Sequence, residues 1–414
     1  RMLVLLTRDP RTAASMVEQR ALPLVLRPLL TRRRFQRASY QRLVFIVLRH
    51  MVESGGSLLP LLTNELHVWM NQSSRPRPTE VSSLLKAMGH SVIRSPPTFL
   101  DAAASQLELI EFHSMKSPTN LRPRQGAQVP DEPASAQAMY DAVVHMLMND
   151  LVSVREGTTN APEADADSLI SVSDARDTYV FALLQCLVEL LSSYMGCKQS
   201  FLQYRVHGTT PVLAYFMNEL VPIGFLAQYE AEELRKRMTE SNWAISVLVA
   251  LATDPLPLPD ATSVPDMLVS IRKALLDALY KALREATQTD GQLEIKFGRL
   301  YALSDTCHRL LTARPNTDTT APKRMEVVLH MAKTMLEKNF VAVLTQALAD
   351  LDVNMPSLSS LLDSVLRPLE HLTKASIKMA RSDRRGSHDK KNCPWCTSNN
   401  PCSVARSERG DDGE

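Results

Sequence analysis

The feature that most constrains the fold is a succession of amphipathic helical patterns, each about 8 to 16 residues long and separated by short turns rich in proline or glycine. In residues 40–53, for example, Val44, Val47, Leu48 and Met51 recur at helical spacing, and two glycines then mark the helix end. No strand-period alternation is sustained along the sequence. One such helix cannot bury its apolar face alone, whereas stacked pairs can. The pattern therefore predicts an all-α fold, an armadillo/HEAT-like helical solenoid.

Changes of composition along the chain divide it into six predicted segments. These are an armadillo-like helical block over 1–115, a linker over 116–135, a helix over 136–155, an acidic flexible insert over 156–172, a second armadillo-like helical block over 173–380, and a disordered tail over 381–414. The linker is rich in proline and the tail has almost no large apolar residues, so neither is expected to form a core. Within the first block, the spacing predicts single helices over 79–94 and 99–112.

Composition excludes several classes of protein. The 414 residues are 44% hydrophobic but only 5% aromatic, and low aromatic content argues against barrels and sandwiches. The net charge of +2 implies neither nucleic acid nor an anionic membrane as partner. No apolar run reaches the ~20 residues that a membrane span needs. The six cysteines form no disulfide framework, which predicts a reducing compartment, nucleus and/or cytoplasm.

One chemical signature stands in the predicted tail, a pair of cysteines with CxxC spacing. Such a pair serves either as a redox centre or as half of a zinc site. The candidate metal ligands are Cys393, Cys396, Cys402 and His388, which together would supply three thiolates and one imidazole. Only one CxxC is present, its flanks lack the strand-to-helix setting of redox motifs, and the spacing matches no common zinc module. We therefore expect an unliganded tail and no cofactor.

Catalytic residues are not predicted anywhere in the chain. Cys307 and His308 are adjacent, but they lie within an amphipathic helix, where neighbours in sequence point in different directions. A core cysteine beside a surface histidine is expected there, rather than a nucleophile and its base. There is also no G-x-S-x-G element and no glycine-rich phosphate loop.

A basic cluster that begins in the loop after Leu30 and extends into the helix predicted over 40–53 is the candidate protein-binding site. Its residues are Arg32, Arg33, Arg34, Arg37 and Arg42. Such a cluster binds an acidic protein surface or a nucleic-acid backbone, or else it is a solvated loop and helix face. No aromatic residues are interleaved to stack on bases, so nucleic acid is not expected as a partner.

The amino-acid sequence of the first helices resembles a segment of the giant HECT-type ubiquitin ligases of fungi, plants and animals. The stretches that carry the resemblance are Leu3–Pro10, Leu43–Glu53 and Ile93–Leu100. Segments of the second block, such as Tyr179–Tyr194 and Met325–Leu351, look like later helices of the family. The sequence departs from the family at Arg20-Ala21, where two glycines are usual. This departure concerns the conformation of the local turn and not the fold.

This resemblance implies a ring- or horseshoe-shaped helical scaffold that recruits substrates to a distant HECT domain. The expected function is a non-catalytic, substrate-recruiting segment of a giant HECT-type E3 ubiquitin-protein ligase, with the HECT domain absent from these 414 residues. The expected partners are protein substrates and the ubiquitin machinery, with no membrane. The alternative is a free-standing armadillo-like adaptor protein without ligase activity.

Overall fold

The computed structural model describes residues 1–31, 38–71, 79–110, 120–157, 172–223, 231–255, 264–288, 293–313, 330–351 and 358–391. The first helices are α1 (Met2–Leu6), α2 (Pro10–Glu18), α3 (Leu22–Thr31), α4 (Ala38–Glu53), α5 (Leu58–Met70), α6 (Val81–Ala87), α7 (Gly89–Arg94), α8 (Pro96–Gln106) and α9 (Ala134–Arg155). Helices dominate these ranges, as the sequence predicts, and the all-α class is confirmed.

Nine further helices follow in chain order. They are α10 (Val172–Ser193), α11 (Met195–Gln203), α12 (Val212–Tyr215, continued by a π-helical turn over Phe216–Leu220), α13 (Ala231–Ala252), α14 (Asp266–Gln288), α15 (Leu293–Thr312), α16 (described over 330–337), α17 (Phe340–Ala349) and α18 (Leu358–Lys391). The short strands are β1 (Thr79–Glu80), β2 (Leu107–Leu109), β3 (Asn120–Pro123), β4 (Arg205–Val206) and β5 (Thr210–Pro211).

The helices from α9 onward form two layers. In one layer α10 packs on α13, α13 on α15, and α15 on α18. In the other, α11 packs on both α9 and α14, and α14 packs on α17. The chain alternates between the layers, because α9 packs on α10, α14 on α15, and α17 on α18. Each helix thus buries its apolar face against its neighbours in the stack, and the predicted helical solenoid is confirmed.

The first four helices belong to the same stack. Helix α4 packs mainly on α2 and α9, and α3 packs on α10. The predicted stripe of Val44, Val47, Leu48 and Met51 is buried, as expected. The spacing also predicts that this stripe packs on the preceding helix, α3, through Leu24, Leu26 and Leu29. Leu26 is buried in the same apolar cluster as the stripe. The prediction is wrong for Leu24, which is 71% exposed, and α3 makes its main contact with α10.

Two turns show how the backbone meets the demands of this packing. The turn after α4 lies against the start of α9, so closely that a Cβ on Gly55 would lie 2.7 Å from the carbonyl oxygen of Ser135. At the end of α2, Arg20 adopts a left-handed conformation with φ of 51°. The backbone N–H of Ala21 then donates to the carbonyl of Met16 at 2.9 Å. The turn that glycine usually makes is therefore kept without glycine.

The described residues of 58–123 form a small separate unit. Helices α5 and α8 pack on each other, and the strands form an antiparallel sheet of order β1-β3-β2, with Leu109 opposite Leu121. Buried side chains of this unit form their own apolar cluster: Leu62, Leu66, Trp69, Met70, Leu84, Met88, Phe99, Ala102, Leu107 and Leu121.

Three sequence predictions are corrected in this unit. Residues 79–94 are not one helix, because β1 precedes α6 and the chain breaks at Met88 before α7 begins. The helix predicted over 99–112 ends at Gln106, where the chain becomes β2. The linker predicted over 116–135 contains β3. In each case a stretch of two to four residues pairs with a strand of the same antiparallel sheet, and this tertiary pairing overrides local helical spacing.

The end of the described chain also differs from the prediction. Helix α18 continues past residue 381, where the disordered tail was placed, and runs to Lys391. Arginine and lysine favour helix nearly as well as leucine, so a helix already formed by packing extends through them. Most of the predicted acidic insert, 158–171, and residues 392–414 lie outside the described part of the chain.

Candidate protein-binding groove

A groove crosses the layer formed by α10, α13 and α15. Its volume is about 360 Å³, and it is lined by Val188, Ser192, Ser246, Val249, Ala250, Thr253, Asp254, Pro255, Arg309 and Ala313. These residues come from the C-terminal parts of all three helices, so the helices run parallel with their C-terminal ends side by side. The groove therefore presents valine and alanine walls, three hydroxyl groups, and one charge of each sign.

The two charged groups at the groove act on different neighbours. Arg309 donates from Nε to Oδ2 of Asp305 at 2.7 Å and from Nη2 to the side chain of Asn242. Since Asn242 belongs to α13, this arginine ties α15 to its neighbour. Asp254 follows the C-terminus of α13 and acts electrostatically on Lys198 and Arg272 below.

Beneath the groove, two buried cations cap the C-terminus of α13. Lys198 is 0% exposed, and its Nζ donates to the carbonyls of Ala250, Leu251 and Thr253, the second at 3.0 Å. Arg272 is 1% exposed, and its Nε donates to the carbonyl of Ala252 at 2.9 Å. The last carbonyls of a helix have no partner within it, so these two side chains satisfy the groups that the helix leaves open.

Burial acts on both cations. It lowers the pKa of Lys198 to about 7 and that of Arg272 to about 10, while the carboxylate of Asp254 partly offsets the shift of each pKa. The carbonyl acceptors and the negative end of α13 favour the charged forms. The sequence did carry a signal for both residues, which the sequence analysis missed. Each cation stands at a position where the helical pattern calls for an apolar residue. Lys198 lies between Cys197 and Phe201, and Arg272 lies between Ile271 and Leu275.

Polar links join neighbouring helices across the stack. Nε of Arg49 lies 3.0 Å from Oε1 of Glu189, which joins α4 to α10. Lys236 pairs with Asp177 at 3.7 Å, which joins α13 to α10. Helix α9 is tied to α13 by Arg155 and Glu240 at 2.5 Å. The second link joins two of the helices that frame the groove, and the other two tie those helices to α4 and α9.

The predicted basic cluster is only partly within the described chain. Arg42 is exposed on α4, away from the groove, whereas Arg32, Arg33, Arg34 and Arg37 lie outside the described residues. The protein-binding role of the cluster stays a prediction.

The predicted metal candidates lie largely beyond the described chain as well. Cys393, Cys396 and Cys402 are outside it, and for His388 only the backbone, within α18, is described. In the part that is described, no group of three or more His, Cys, Asp or Glu side chains is placed to hold a metal.

The three cysteines of the described chain are core residues. Cys186, Cys197 and Cys307 are buried free thiols, and burial raises the pKa of each, that of Cys186 to about 12. Since the thiolate is the nucleophile, these side chains are poorly suited to covalent catalysis. Cys307 is a core cysteine, as predicted, whereas His308, predicted to lie on the surface, is half buried.

Within the described ranges, no single helix is long and apolar enough to cross a membrane. One pair of helices meets that test only jointly, over Gln41–Glu53 and Leu58–Met70, and the two are bent by 105° to each other.

A two-layer stack of packed helices defines the class of the protein, a helical solenoid. Comparison with known proteins makes this more specific. Over 406 residues the chain is 25% identical to the E3 ubiquitin-protein ligase ptr1 of Schizosaccharomyces pombe. The aligned region covers 92% of this chain and 12% of the relative. It is also 22% identical over 436 residues to the E3 ubiquitin-protein ligase TOM1 of Saccharomyces cerevisiae, which covers 94% of this chain and 13% of that protein.

A third relative is the E3 ubiquitin-protein ligase TOM1-like of Neurospora crassa, 22% identical over 506 residues, with 92% of this chain and 12% of the relative covered. No family model and no solved structure matches the chain. The resemblance noted in the sequence is confirmed: over nearly its whole length, the chain is related to a segment of the Ptr1/TOM1 ubiquitin ligases. It spans only 12 to 13% of the length of these relatives.

Proposed function

We propose that this chain is a scaffold and substrate-recruiting segment of a giant HECT-type E3 ubiquitin-protein ligase, acting in ubiquitination through a HECT domain elsewhere in the same polypeptide. The observation that carries the proposal is the match of 92% of the chain to ligases roughly eight times its length. The buried, protonated state of the described cysteines supports a non-catalytic role for this segment.

The groove across α10, α13 and α15 is the proposed recruiting surface. Its apolar walls and hydroxyl groups suit an extended protein segment, which offers side chains and backbone hydrogen-bonding groups together. Capping by Lys198 and Arg272 and the links between helices hold the groove in one shape, so little ordering is lost on binding. Protein substrates and the ubiquitin machinery are the proposed partners, in the nucleus and/or cytoplasm.

Groove substitutions in the full-length ligase test this function. Val249→Arg and Ser246→Arg place a large charged side chain in the groove, at positions that are only half buried. We expect substrate ubiquitination to fall at least about fivefold, because one blocked contact at a binding centre typically costs 1 kcal/mol or more. Ubiquitin loading of the HECT domain should stay unchanged. Lys281→Ala on the outer face of α14, where the side chain is exposed, is the matched control.

A general loss of activity, with loading reduced as well, would show misfolding and not recruitment. Unchanged substrate ubiquitination in both groove variants, with folding intact, would contradict the groove as the recruiting surface. The adaptor alternative is decided separately, by detecting the native polypeptide with an antiserum to this chain. The ligase proposal requires a protein several times longer than 414 residues that carries a HECT domain, whereas a protein of about this length would support the adaptor.

A further inference from the structure

Another pocket, the hairpin pocket, lies at the C-terminal end of α9, beside the hairpin formed by β4 and β5. Its volume is about 350 Å³, and it shares no lining residue with the groove. This volume falls within the range of small-ligand sites, roughly 300 to 1,000 Å³. The polar side chains that line it are those of Arg155, Glu156, His207, Tyr215, Asn218 and Glu219.

The charges that line the hairpin pocket leave an excess of carboxylate. Arg155 is already bound, because its Nη1 lies 2.5 Å from Oε1 of Glu240 and donates to the backbone carbonyl of Glu219 at 3.3 Å. Oε1 of Glu156 lies 2.7 Å from Nε2 of His207. The carboxylate of Glu219 is exposed and forms no ion pair within the described chain.

The neighbouring arginines do not line the pocket, and each is held by another group. Arg176 of α10 donates to a backbone carbonyl at the end of α9. Arg237 pairs with Glu240 at 2.7 Å, and Arg299 pairs with Glu285 at 3.4 Å. An occupant of the pocket therefore meets two carboxylates and one arginine that is already paired.

A second observation, a buried hydroxyl group, also points to a ligand. Tyr215 lines the pocket and is only 8% exposed, yet its hydroxyl forms no hydrogen bond to another residue of the described chain. Burial raises the pKa of Tyr215 to about 12, Arg155 opposes this shift, and Glu156 and Glu219 add to it. The hydroxyl thus lies within reach of the charges of the pocket. A buried polar group without a partner costs free energy, and a ligand that donates a hydrogen bond removes that cost.

These groups together select a cationic donor. An ammonium or guanidinium group has several N–H donors and no acceptor, which matches two carboxylates and a phenolic oxygen. An anion would be repelled by the carboxylates, and an apolar group would leave the hydroxyl of Tyr215 without a partner. The pocket is also lined by Val206 and Ala214, and long basic side chains place their aliphatic stems against such apolar surface.

We propose that the hairpin pocket binds the side chain of a lysine or arginine residue of a partner protein. The cationic head contacts Glu156, Glu219 and the hydroxyl of Tyr215, and the stem lies against Val206 and Ala214. This site goes beyond the groove, and it requires only that the chain binds proteins, whether as part of a ligase or as an adaptor.

Methyl NMR of the full chain tests the site, with the methyl groups of Val206 and Ala214 as reporters. The probes are the Nα-acetyl methylamides of lysine and arginine, and the same derivative of norleucine keeps the stem without the charge. We expect saturable shifts of both reporters with the two cationic probes. The dissociation constant should be on the order of 1 to 10 mM, as one small side chain allows. The norleucine derivative should give no saturable shift.

Two pocket variants and one control complete the experiment. Glu219→Gln removes an exposed charge and Tyr215→Phe removes only the hydroxyl, so we expect each to weaken binding about threefold. Glu232→Gln, an exposed carboxylate of α13 that pairs with Arg235 at 3.8 Å, should leave binding unchanged.

Three results would overturn the proposal: no saturable shift of Val206 and Ala214, equal shifts with the norleucine derivative, or affinity that both pocket variants retain. Thermal midpoints establish that the variants are folded. The comparison of lysine with norleucine is made on the parent chain, so it decides the question even if a variant does not fold.

Discussion

The main helical stack and the small unit within residues 58–123 bury their apolar side chains in different ways. In the stack, one continuous apolar cluster runs from Val17 to Ala375, and buried charged groups such as Lys198 complete the hydrogen bonds of helix ends. The small unit has its own cluster and uses a three-stranded sheet to close it. The stack gains stability from repetition, since its inner helices pack between two neighbours of the same layer, whereas the unit depends on a few pairings between distant segments.

The junction between the two regions is polar. Glu53, at the end of α4, is buried and accepts hydrogen bonds from Arg94 of the small unit and from the hydroxyl of Tyr194 of the stack. Arg8 donates to the carbonyl of Ile93 at 2.9 Å nearby. A polar junction holds two separately packed bodies in a fixed relation without merging their cores, so damage in one should spread only weakly to the other.

Charge placed in either core should produce the largest effect and show this separation. Leu48→Asp in the stack and Leu66→Asp in the small unit each bury a carboxylate with no partner, at positions that are fully buried. We expect each to cost more than about 3 kcal/mol. Hydrogen exchange should show damage around α2, α4 and α9 in the first case, and within 58–123 in the second. A variant that melts like the parent would show that its position is not in a core.

Removal of a buried cap should have the next largest effect, confined to the stack. Lys198→Met keeps the side-chain length but takes the partner from three carbonyls of α13, at an expected cost of about 2 to 4 kcal/mol. Lys281→Met on the exposed face of α14 is the control, expected within ~0.5 kcal/mol. Chemical denaturation measures both. Equal stability of the two variants would show that the cap contributes nothing.

A substitution that removes one ion pair at the junction should let the two regions unfold separately. Arg94→Gln leaves the buried Glu53 with the hydroxyl of Tyr194 as its remaining partner. We expect a cost of about 2 kcal/mol, less than for a fully unpaired buried charge. The small unit should then melt before the stack, giving two calorimetric transitions. A single transition shifted as a whole would mean that the two regions are joined by more than this pair.

Acid should weaken the same junction by a smaller amount. Burial lowers the pKa of His50 to about 4, helped by the positive charges of Arg94 and Arg8. The folded state therefore binds fewer protons than the unfolded state between pH 6.5 and 4, and stability is lost as pH falls through that range. After allowance for partial solvent screening, we expect about 1 kcal/mol.

His50→Asn is the matched variant for this pH effect. Its amide can take over the contact between Nδ1 of His50 and Oγ1 of Thr7, which are 2.9 Å apart, without titrating. Denaturation curves between pH 7 and 4 should therefore lose part of their pH dependence in the variant. An identical pH dependence in both proteins would assign the acid sensitivity to other groups.

The sequence predicted the stack far better than the small unit, for a physical reason. Long helices such as α4 can be recognised in the sequence, because apolar residues recur at every turn on the buried face. Strands β2 and β3 cannot, because three or four residues are too few to show a period and the two paired strands are not adjacent in the sequence. For the same reason, the placement of 1–53 with 134–375 was not foreseen: contacts such as Gly55 with Ser135 join segments that composition divides. The groove likewise arises from three helices whose side by side arrangement no local pattern reveals.

The division of the chain into a stack and a small unit is tested most directly by native-state hydrogen exchange, read by mass spectrometry in rising denaturant. We expect the described helices of 17–53 and of 134–375 to share one high opening free energy, and the described residues of 58–123 to open together at a lower one. If 1–53 instead exchanges together with 58–110, and separately from α9 and α10, the chain consists of two sequential blocks and the stack described above is wrong.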